Sequence, residues 1–523
     1  MKKTFFLLYA SFLFSSAYAQ QPGNFDGDFS ADGVGYYYVP DYSGPCLAYA
    51  LAIQPDGKIV IAGNSSIDAN SSGNITLMRL NPDGSADEWF GNQLFWNSAN
   101  NYFSPMGFAI ENAFVAGFTA KAVAILPNGD IVAGATSYSS NGFVLQNFGT
   151  SGYLNTNFSN DGTVITNLGS SATFYALAVQ PDGKIIAAGD AATGTESSTF
   201  ALVRYDQYGN EDATFSFDGI VTTSIGFSYS SSARAVAVQP DGKIIAAGHY
   251  GGQCALARYH ADGTLDNTFG TNGKVITSVD DESIINAIAL QPNGKIVAAG
   301  YSFNLNSFQD YKTLVRYNAN GSLDNSFGVN GIATVSDGSF TGVAIQPDGK
   351  IVATGTRNSS ETVDVIRFNA NGTPDNTFGV QGIAYPIFGA QSQAIALQPD
   401  GKIVVAGFAQ VASYPHKSFC VARYLSGLNV GIVTPLNATT ETLIYPNPVT
   451  NNATLGFQLQ TAAKVSLTVQ NLNGQSVQQL VSNSYYASGK HEVALPLENI
   501  APGMYLLVLQ SGKHVIVTKF VKQ

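Results

Sequence analysis

Five histidines, His249, His260, His416, His491 and His514, are scattered along this chain without a His-Glu-x-x-His run, a paired-ligand spacing or a triad order. Zinc and serine-triad chemistry therefore have no motif here. Aspartates and glutamates fall mostly in turn strings, where their oxygens bond nearby backbone amides, so no glycosidase pair stands out and no catalytic residue is assigned. The loops Asn81 to Asp87 and Asn369 to Asp375 carry oxygen donors that a hard cation such as calcium could use. Their Gly stands at the fourth position, not the sixth of an EF-hand loop, and turn formation explains the same residues. No cofactor is expected; calcium is the one ion with donors on offer.

One charged spacing recurs. An arginine is followed eight residues later by an aspartate at Arg79 and Asp87, Arg204 and Asp212, Arg258 and Asp266, Arg316 and Asp324, and Arg367 and Asp375. The second copy of the pattern loses both, with Gln146 read in the arginine place and Asn155 in the aspartate place. Joint loss is what an ion pair predicts, because a buried charge left alone costs about 3 to 5 kcal/mol. Arg423 lacks a downstream Asp, but Phe25 to Gly33 aligns with Leu265 to Gly273, which makes Asp26 its expected partner. Val34 to Val39 would then adjoin the last repeat and latch a ring shut.

The elements that position these charges repeat as well. Pro55, Pro127, Pro181, Pro240, Pro292, Pro347 and Pro399 each begin Pro-Asp/Asn-Gly, usually followed by Lys, at spacings of 72, 54, 59, 52, 55 and 52 residues. Such a period marks a repeat architecture. Alternating apolar residues flank each string, as in Ile285 to Gln291 and Lys295 to Ala299, so each copy is a hairpin with Pro setting the first turn dihedral and Gly supplying positive φ. A third strand ends at the arginine, and a fourth such as Gly273 to Val279 precedes the next hairpin. Four short antiparallel strands in roughly 50 residues suit a propeller blade, whose radial packing covers sheet edges. The expected fold is all-β: a seven-bladed β-propeller over 20–426, a linker over 427–442 and a small β-sandwich over 443–523.

Composition agrees. With 54 Gly, 26 Tyr, 32 Phe and 12% charged residues, the 523-residue chain reads as turn-rich β protein, not disorder. A net charge of −11 without a basic cluster argues against nucleic acid or anionic lipid as partner. Lys2 and Lys3, the apolar run Phe5 to Phe14 and Ala17-Tyr18-Ala19 read as a secretory signal over 1–19, and no other segment is apolar enough to span a bilayer. Three cysteines, Cys46, Cys254 and Cys420, are too few for a disulfide framework. Cys254 and Cys420 lie in repeats too far apart to pair, and free thiols are expected.

The distances from the Gly ending the second strand to the arginine place are 16, 12, 15, 10, 16, 12 and 16 residues, so these loops vary on one face of a regular scaffold. They carry Tyr250, Tyr301, Phe303, Phe308, Tyr311, Phe408 and Tyr414, while an insertion from Asn92 to Thr119 carries Trp96, Tyr102 and Phe103. Aromatics so placed stack on sugar rings, anchor a protein partner or simply pack.

The Gln-Pro-Asp-Gly-Lys-Ile-Val-Ala-Ala-Gly string and the Leu-Asp-Asn-x-Phe-Gly-x-Asn-Gly linker make residues 24–426 resemble the delta-60 repeat family of exported bacterial proteins. That resemblance implies the propeller and no settled activity. From Leu443 the chain resembles the C-terminal sorting domain of the type IX secretion system of Bacteroidetes, through Tyr445-Pro446-Asn447-Pro448, Asn471-Leu472-Asn473-Gly474-Gln475 and the Gly503-Met504-Tyr505 close with its basic last strand. This implies delivery by the periplasm and outer-membrane secretion machinery to the surface or medium, and leaves open whether the tail is removed. The expected function is a monomeric exported binding module for an extracellular glycan or protein; the alternative is a propeller hydrolase acting on polysaccharide or peptide.

Overall fold

The protein is described from a computed structural model covering residues 21–428 and 443–522, apart from 31, 40–43, 67–73, 92–94, 98–101, 105–106, 112–117, 119, 138–139, 193–196, 411–415, 446–448, 460–461, 472–475, 499, 502 and 512–513. The signal segment 1–19 and most of the linker thus lie outside the described residues.

Turn chemistry sets the hairpins. In all seven Pro-Asp/Asn-Gly strings the Gly holds φ between +81° and +90°, a region that only Gly enters without strain. The hairpin closes through bonds such as Gln54 N to Lys58 O at 2.8 Å. Third and fourth strands extend each hairpin to a four-stranded antiparallel sheet. Blade 1 comprises Cys46–Ile53, Ile59–Ser65, Asn74–Leu80 and Phe108–Glu111; blades 2 to 6 occupy 120–167, 171–223, 231–277, 282–336 and 339–388. Blade 7 takes Ala390–Leu397, Ile403–Gln410 and Lys417–Tyr424 from the end of the array and its fourth strand, Val34–Tyr37, from the beginning.

The first strand of each blade packs on the first strands of its neighbours, including that of blade 7 on that of blade 1, so these seven strands ring a central channel. The apolar core lies between blades. Val404 and Phe419 of blade 7, for example, pack with Ile61 and Met78 of blade 1 and with Phe29 from the N-terminal segment. Each fully buried Phe contributes roughly 1.5 to 3 kcal/mol, and every interface carries such residues, which is why the ring dispenses with disulfides. Cys46, Cys254 and Cys420 are free and buried; burial pushes the Cys254 thiol to about 11 and Cys420 to about 12.

The arginine-aspartate spacing becomes a seam around the ring. Arg Nε stands 2.7 Å from Asp Oδ2 in Arg79–Asp87, Arg316–Asp324 and Arg367–Asp375, and 2.8 Å in Arg204–Asp212, Arg258–Asp266 and Arg423–Asp26. In the Arg204 and Arg423 pairs the contact is ionic without hydrogen-bond alignment. Each Asp also receives the Lys of the hairpin string, from Lys58 on Asp87 at 2.9 Å to Lys402 on Asp26 at 2.8 Å. Each Arg lies over the Phe three residues after its Asp, 4.3 to 4.8 Å from the ring centroid. Its Nη1 donates to a carbonyl of the next blade, as Arg79 does to Thr150 O at 2.6 Å and Arg423 to Pro82 O across the closure. Burial would raise these carboxyls, but hydrogen bonds from the lysine and from the hydroxyl and backbone amide of the Thr or Ser two residues on, with the arginine beside them, hold Asp212, Asp266, Asp324 and Asp375 well below the usual carboxylate range.

Blade 2 requires a correction. Asn147, not Gln146, occupies the arginine place: it pairs with Val132 as Arg79 pairs with Val60, and its carbonyl accepts from Asn155 N as that of Arg79 accepts from Asp87 N. Asn147 also stands the usual eight residues before Asn155, whereas Gln146 stands nine before it. Asp130 takes the lysine place there, and Asn155 Nδ2 donates to it at 3.0 Å, so a neutral-to-acid hydrogen bond replaces the three-charge cluster. Gln146 instead reaches Thr163 Oγ1 at 3.3 Å.

The tail forms a three-stranded sheet of Leu443–Tyr445, Asn452–Leu459 and Gly489–Pro496 and a four-stranded sheet of Ala463–Asn471, Ser476–Tyr486, Gly503–Ser511 and His514–Lys522. Leu455, Phe457, Val465, Leu467, Leu495 and Leu509 fill the space between them. Among the described residues no helix is long and apolar enough to cross a membrane.

Candidate functional site

Every first strand breaks its register once. The bulge falls at Tyr49, Lys121, Tyr175, Arg234, Asn286, Thr341 and Gln393. In six blades a glycine of the second strand lies opposite the residue before the bulge, and a Cβ on any of these glycines would meet a first-strand carbonyl oxygen at 1.8 to 2.2 Å. Glycine thus admits the close approach, and the extra residue is turned out of the ladder. The seven bulge residues, each with the two residues after it, line a channel cavity of about 230 Å³.

All seven bulge side chains are polar and half-buried, and several contact the neighbouring blade. The Lys121 ammonium lies 3.8 Å from the Tyr49 ring centroid, and the Arg234 guanidinium 5.5 Å from that of Tyr175. Arg234 Nη1 donates to Asn286 Oδ1 at 3.1 Å; Asn286 Nδ2 in turn reaches Ser339 Oγ at 3.0 Å and Phe340 O at 2.9 Å. The Thr341 and Ser392 hydroxyls are 3.1 Å apart.

Blades 3 to 5 add titratable groups beside Arg234. Burial raises the Asp190 carboxyl to about 6, against the opposing pull of Ser232 and Arg234. Burial and Arg234 together push His249 down to about 4, and its Nδ1 has no hydrogen-bond partner. Tyr301 rises to about 12 through burial and the adjacent Glu282. These perturbed groups flank Arg234, which lines the cavity, and so mark a candidate site beside it. Asp190 also sets a pH dependence: its folded value lies above the unfolded value of about 3.9, so its contribution to stability is complete below pH 4 and lost as pH rises through 6. Asp190→Asn should therefore gain about 2 to 3 kcal/mol over wild type at pH 7 and nothing at pH 3.5. Denaturant unfolding at the two pH values checks this; equal gains at both would contradict it.

The aromatics singled out from the loops are dispersed. Tyr250 meets Tyr229 edge-on at 5.8 Å and accepts from Ser228 N through its hydroxyl. Tyr301 pairs with Lys312, and Tyr311 with Ser302, so the two tyrosines face opposite sides of blade 5. Phe308 is 80% exposed at a loop tip. Phe408 is buried and meets Tyr49 edge-on at 6.1 Å. Among the described residues no ring contact joins any two of Tyr250, Tyr301, Phe308 and Tyr311. Trp96 pairs with Phe103 and Tyr102 with Asn97 in a small hairpin, whose side chains lie outside the described residues, as does Tyr414. The bulge ring escaped the sequence reading although each member stands six residues before a repeat proline.

The architecture defines a closed repeat propeller followed by a β-sandwich. Residues 443–523 match the secretion system C-terminal sorting domain, and six segments, 54–90, 180–215, 239–269, 291–327, 346–378 and 398–426, match a beta-propeller domain of unknown function, DUF5122. The chain is thus a secreted β-propeller protein with DUF5122-like repeats and a type IX sorting tail, delivered to the medium or the cell surface through that secretion machinery. No curated protein matches it. Among solved structures it is similar to a protein of unknown function from Dyadobacter fermentans, at 10% identity and TM-score 0.39 over 75% of this chain and 99% of that one. An ulvan lyase of polysaccharide lyase family PL25 aligns at 11% identity and TM-score 0.41 over 75% and 95%. The propeller domain of the Trilobed protease from Pyrococcus furiosus aligns at 10% and 0.37 over 72% and 94%.

Proposed function

We propose that this protein is an exported binding module whose glycan or protein ligand is taken at the channel mouth, at the end of the ring where the loops between second and third strands carry Tyr250, Tyr301, Phe308 and Tyr311. One observation carries this reading. The seven copies repeat the hairpin, the bulge and the Ala or Gly after it, yet the ejected residue is Tyr, Lys, Tyr, Arg, Asn, Thr or Gln. A scaffold that repeats while its channel-facing side chains differ is suited to an asymmetric ligand. Glycan-array and whole-cell adhesion measurements with the mature chain test it. Tyr49→Ala with Gln393→Ala should weaken binding at least tenfold, and wild-type binding by that variant would refute the channel as the site.

A second reading, an extracellular hydrolase, is favoured only by Asp190, a buried carboxyl that retains its proton up to about pH 6 beside Arg234 and Tyr175. Turnover of a polysaccharide or peptide library that Asp190→Asn abolishes would support it.

A further inference from the structure

Charge on the channel wall is distributed unevenly. On the side of blades 3 to 5, Arg234 has Asn286 as a hydrogen-bond partner and Asp190 as a nearby carboxyl. On the side of blades 7, 1 and 2 the groups form a ladder of a different kind. Lys417 Nζ stands 4.9 Å from the Phe408 ring centroid, Phe408 meets Tyr49 edge-on at 6.1 Å, and Lys121 Nζ stands 3.8 Å from the far ring of that pair. Among the described residues no carboxylate pairs with Lys121 or Lys417.

That arrangement differs from the seam. Aspartates and glutamates outnumber lysines and arginines 36 to 25, and every hairpin lysine of the seam has a carboxylate. Lys121 is half-buried, and burial alone pulls its ammonium below the ordinary lysine value. A desolvated cation resting on an aromatic face retains only part of what water supplied. An anion brought beside it restores the remainder in a medium where Coulomb attraction is stronger than in water.

We propose that Lys121 and Tyr49 on the channel wall, backed by the buried Phe408 and by Lys417 behind it, bind the anionic group of an acidic saccharide, with Lys121 as the anchoring cation. This rests on the channel-mouth reading above. The anion, a carboxylate or a sulfate ester, pairs with Lys121, and the half-buried Tyr49 ring beside it offers apolar surface to the C–H groups of a sugar. Gln393, further round the same cavity, supplies an amide donor and acceptor for hydroxyls. At about 230 Å³ the cavity is smaller than the roughly 300 to 1,000 Å³ that hold drug-sized ligands, so it admits one sugar ring at a chain end or branch and not a folded peptide.

Calorimetric titration of the full mature chain tests this with oligogalacturonate, its methyl ester, dextran sulfate, unmodified dextran and poly-glutamate. The expected result is binding of oligogalacturonate or dextran sulfate, which separates carboxylate from sulfate, weakened by added salt and at least tenfold weaker for the matching neutral polymer. Lys121→Gln should lose at least tenfold in affinity without lowering the melting temperature, and Lys121→Arg should retain most of it. Equal binding of charged and neutral polymers, or unchanged affinity in Lys121→Gln, would overturn the proposal. Binding of poly-glutamate alone would overturn the saccharide. A neutral glycan whose binding is lost in Tyr49→Ala with Gln393→Ala but not in Lys121→Gln would leave the channel-mouth function standing and remove this inference.

Discussion

Deleting Leu443 to Gln523 leaves a folded propeller that no longer reaches the cell surface or the medium. The array has its own cores between blades, and the described contacts that close its ring all lie before residue 429, while the matched sorting domain fills 443–523. Cell fractionation should find the truncated chain retained, with near-total loss of export, and its purified form should show the β-rich circular dichroism and cooperative melting of the propeller in the full chain. Normal surface or medium levels of the truncated protein would refute the assignment of delivery to the tail.

Breaking the closure produces the largest loss of stability. Asp26 is 1% exposed and holds two cations, Arg423 at 2.8 Å and Lys402 at 2.8 Å. Asp26→Ala leaves both cations facing each other and should cost about 3 to 5 kcal/mol. Arg423→Ala keeps the Asp26–Lys402 pair but loses the bond to Pro82 O and the stacking on Phe29, so it should cost less. The double variant should cost clearly less than the sum. Burial raises the Asp26 carboxyl, but Lys402 and Arg423 pull it below its ordinary value overall. Its contribution is therefore present above the unfolded value of about 3.9 and lost as pH falls through the folded one. Denaturant unfolding at pH 7 should separate Asp26→Ala from wild type, and the gap should shrink below pH 4. Strict additivity of the two single changes would show that the groups do not act as a pair.

Much of this was legible because turn and charge chemistry act over short distances. Pro-Asp-Gly fixes a hairpin locally, and an eight-residue interval across one linker sets an ion pair, so the blades and the seam follow from spacing alone. The lysine of the same string was overlooked as the second cation on each Asp, since its residue of contact lies 29 positions away in Lys58–Asp87. The bulge ring was hidden for another reason. Strict alternation was read through Ile285 to Gln291, whereas the pairing slips between Ile285 and Ala287 and sends Asn286 out of the ladder. That slip is accommodated by a glycine in the neighbouring strand, Gly300, and such cross-strand features do not show in the periodicity of either strand alone. The loop aromatics failed to gather because loop length says which face carries variety but not which side of a blade a ring turns to.

The borrowed strand of blade 7 has a consequence for the order in which this protein becomes soluble. Val34–Tyr37 must find Lys417–Tyr424 nearly 400 residues later, so the most distant contact in sequence is also the one that ends the array, and loop closure over such a span places it late in folding. Until then the chain has a bare edge at blade 7 and an unsatisfied strand at its beginning, complementary to each other within one molecule and equally complementary between two. Two unclosed copies present the same complementary edges to each other, so strand exchange between molecules competes with closure until the ring is shut.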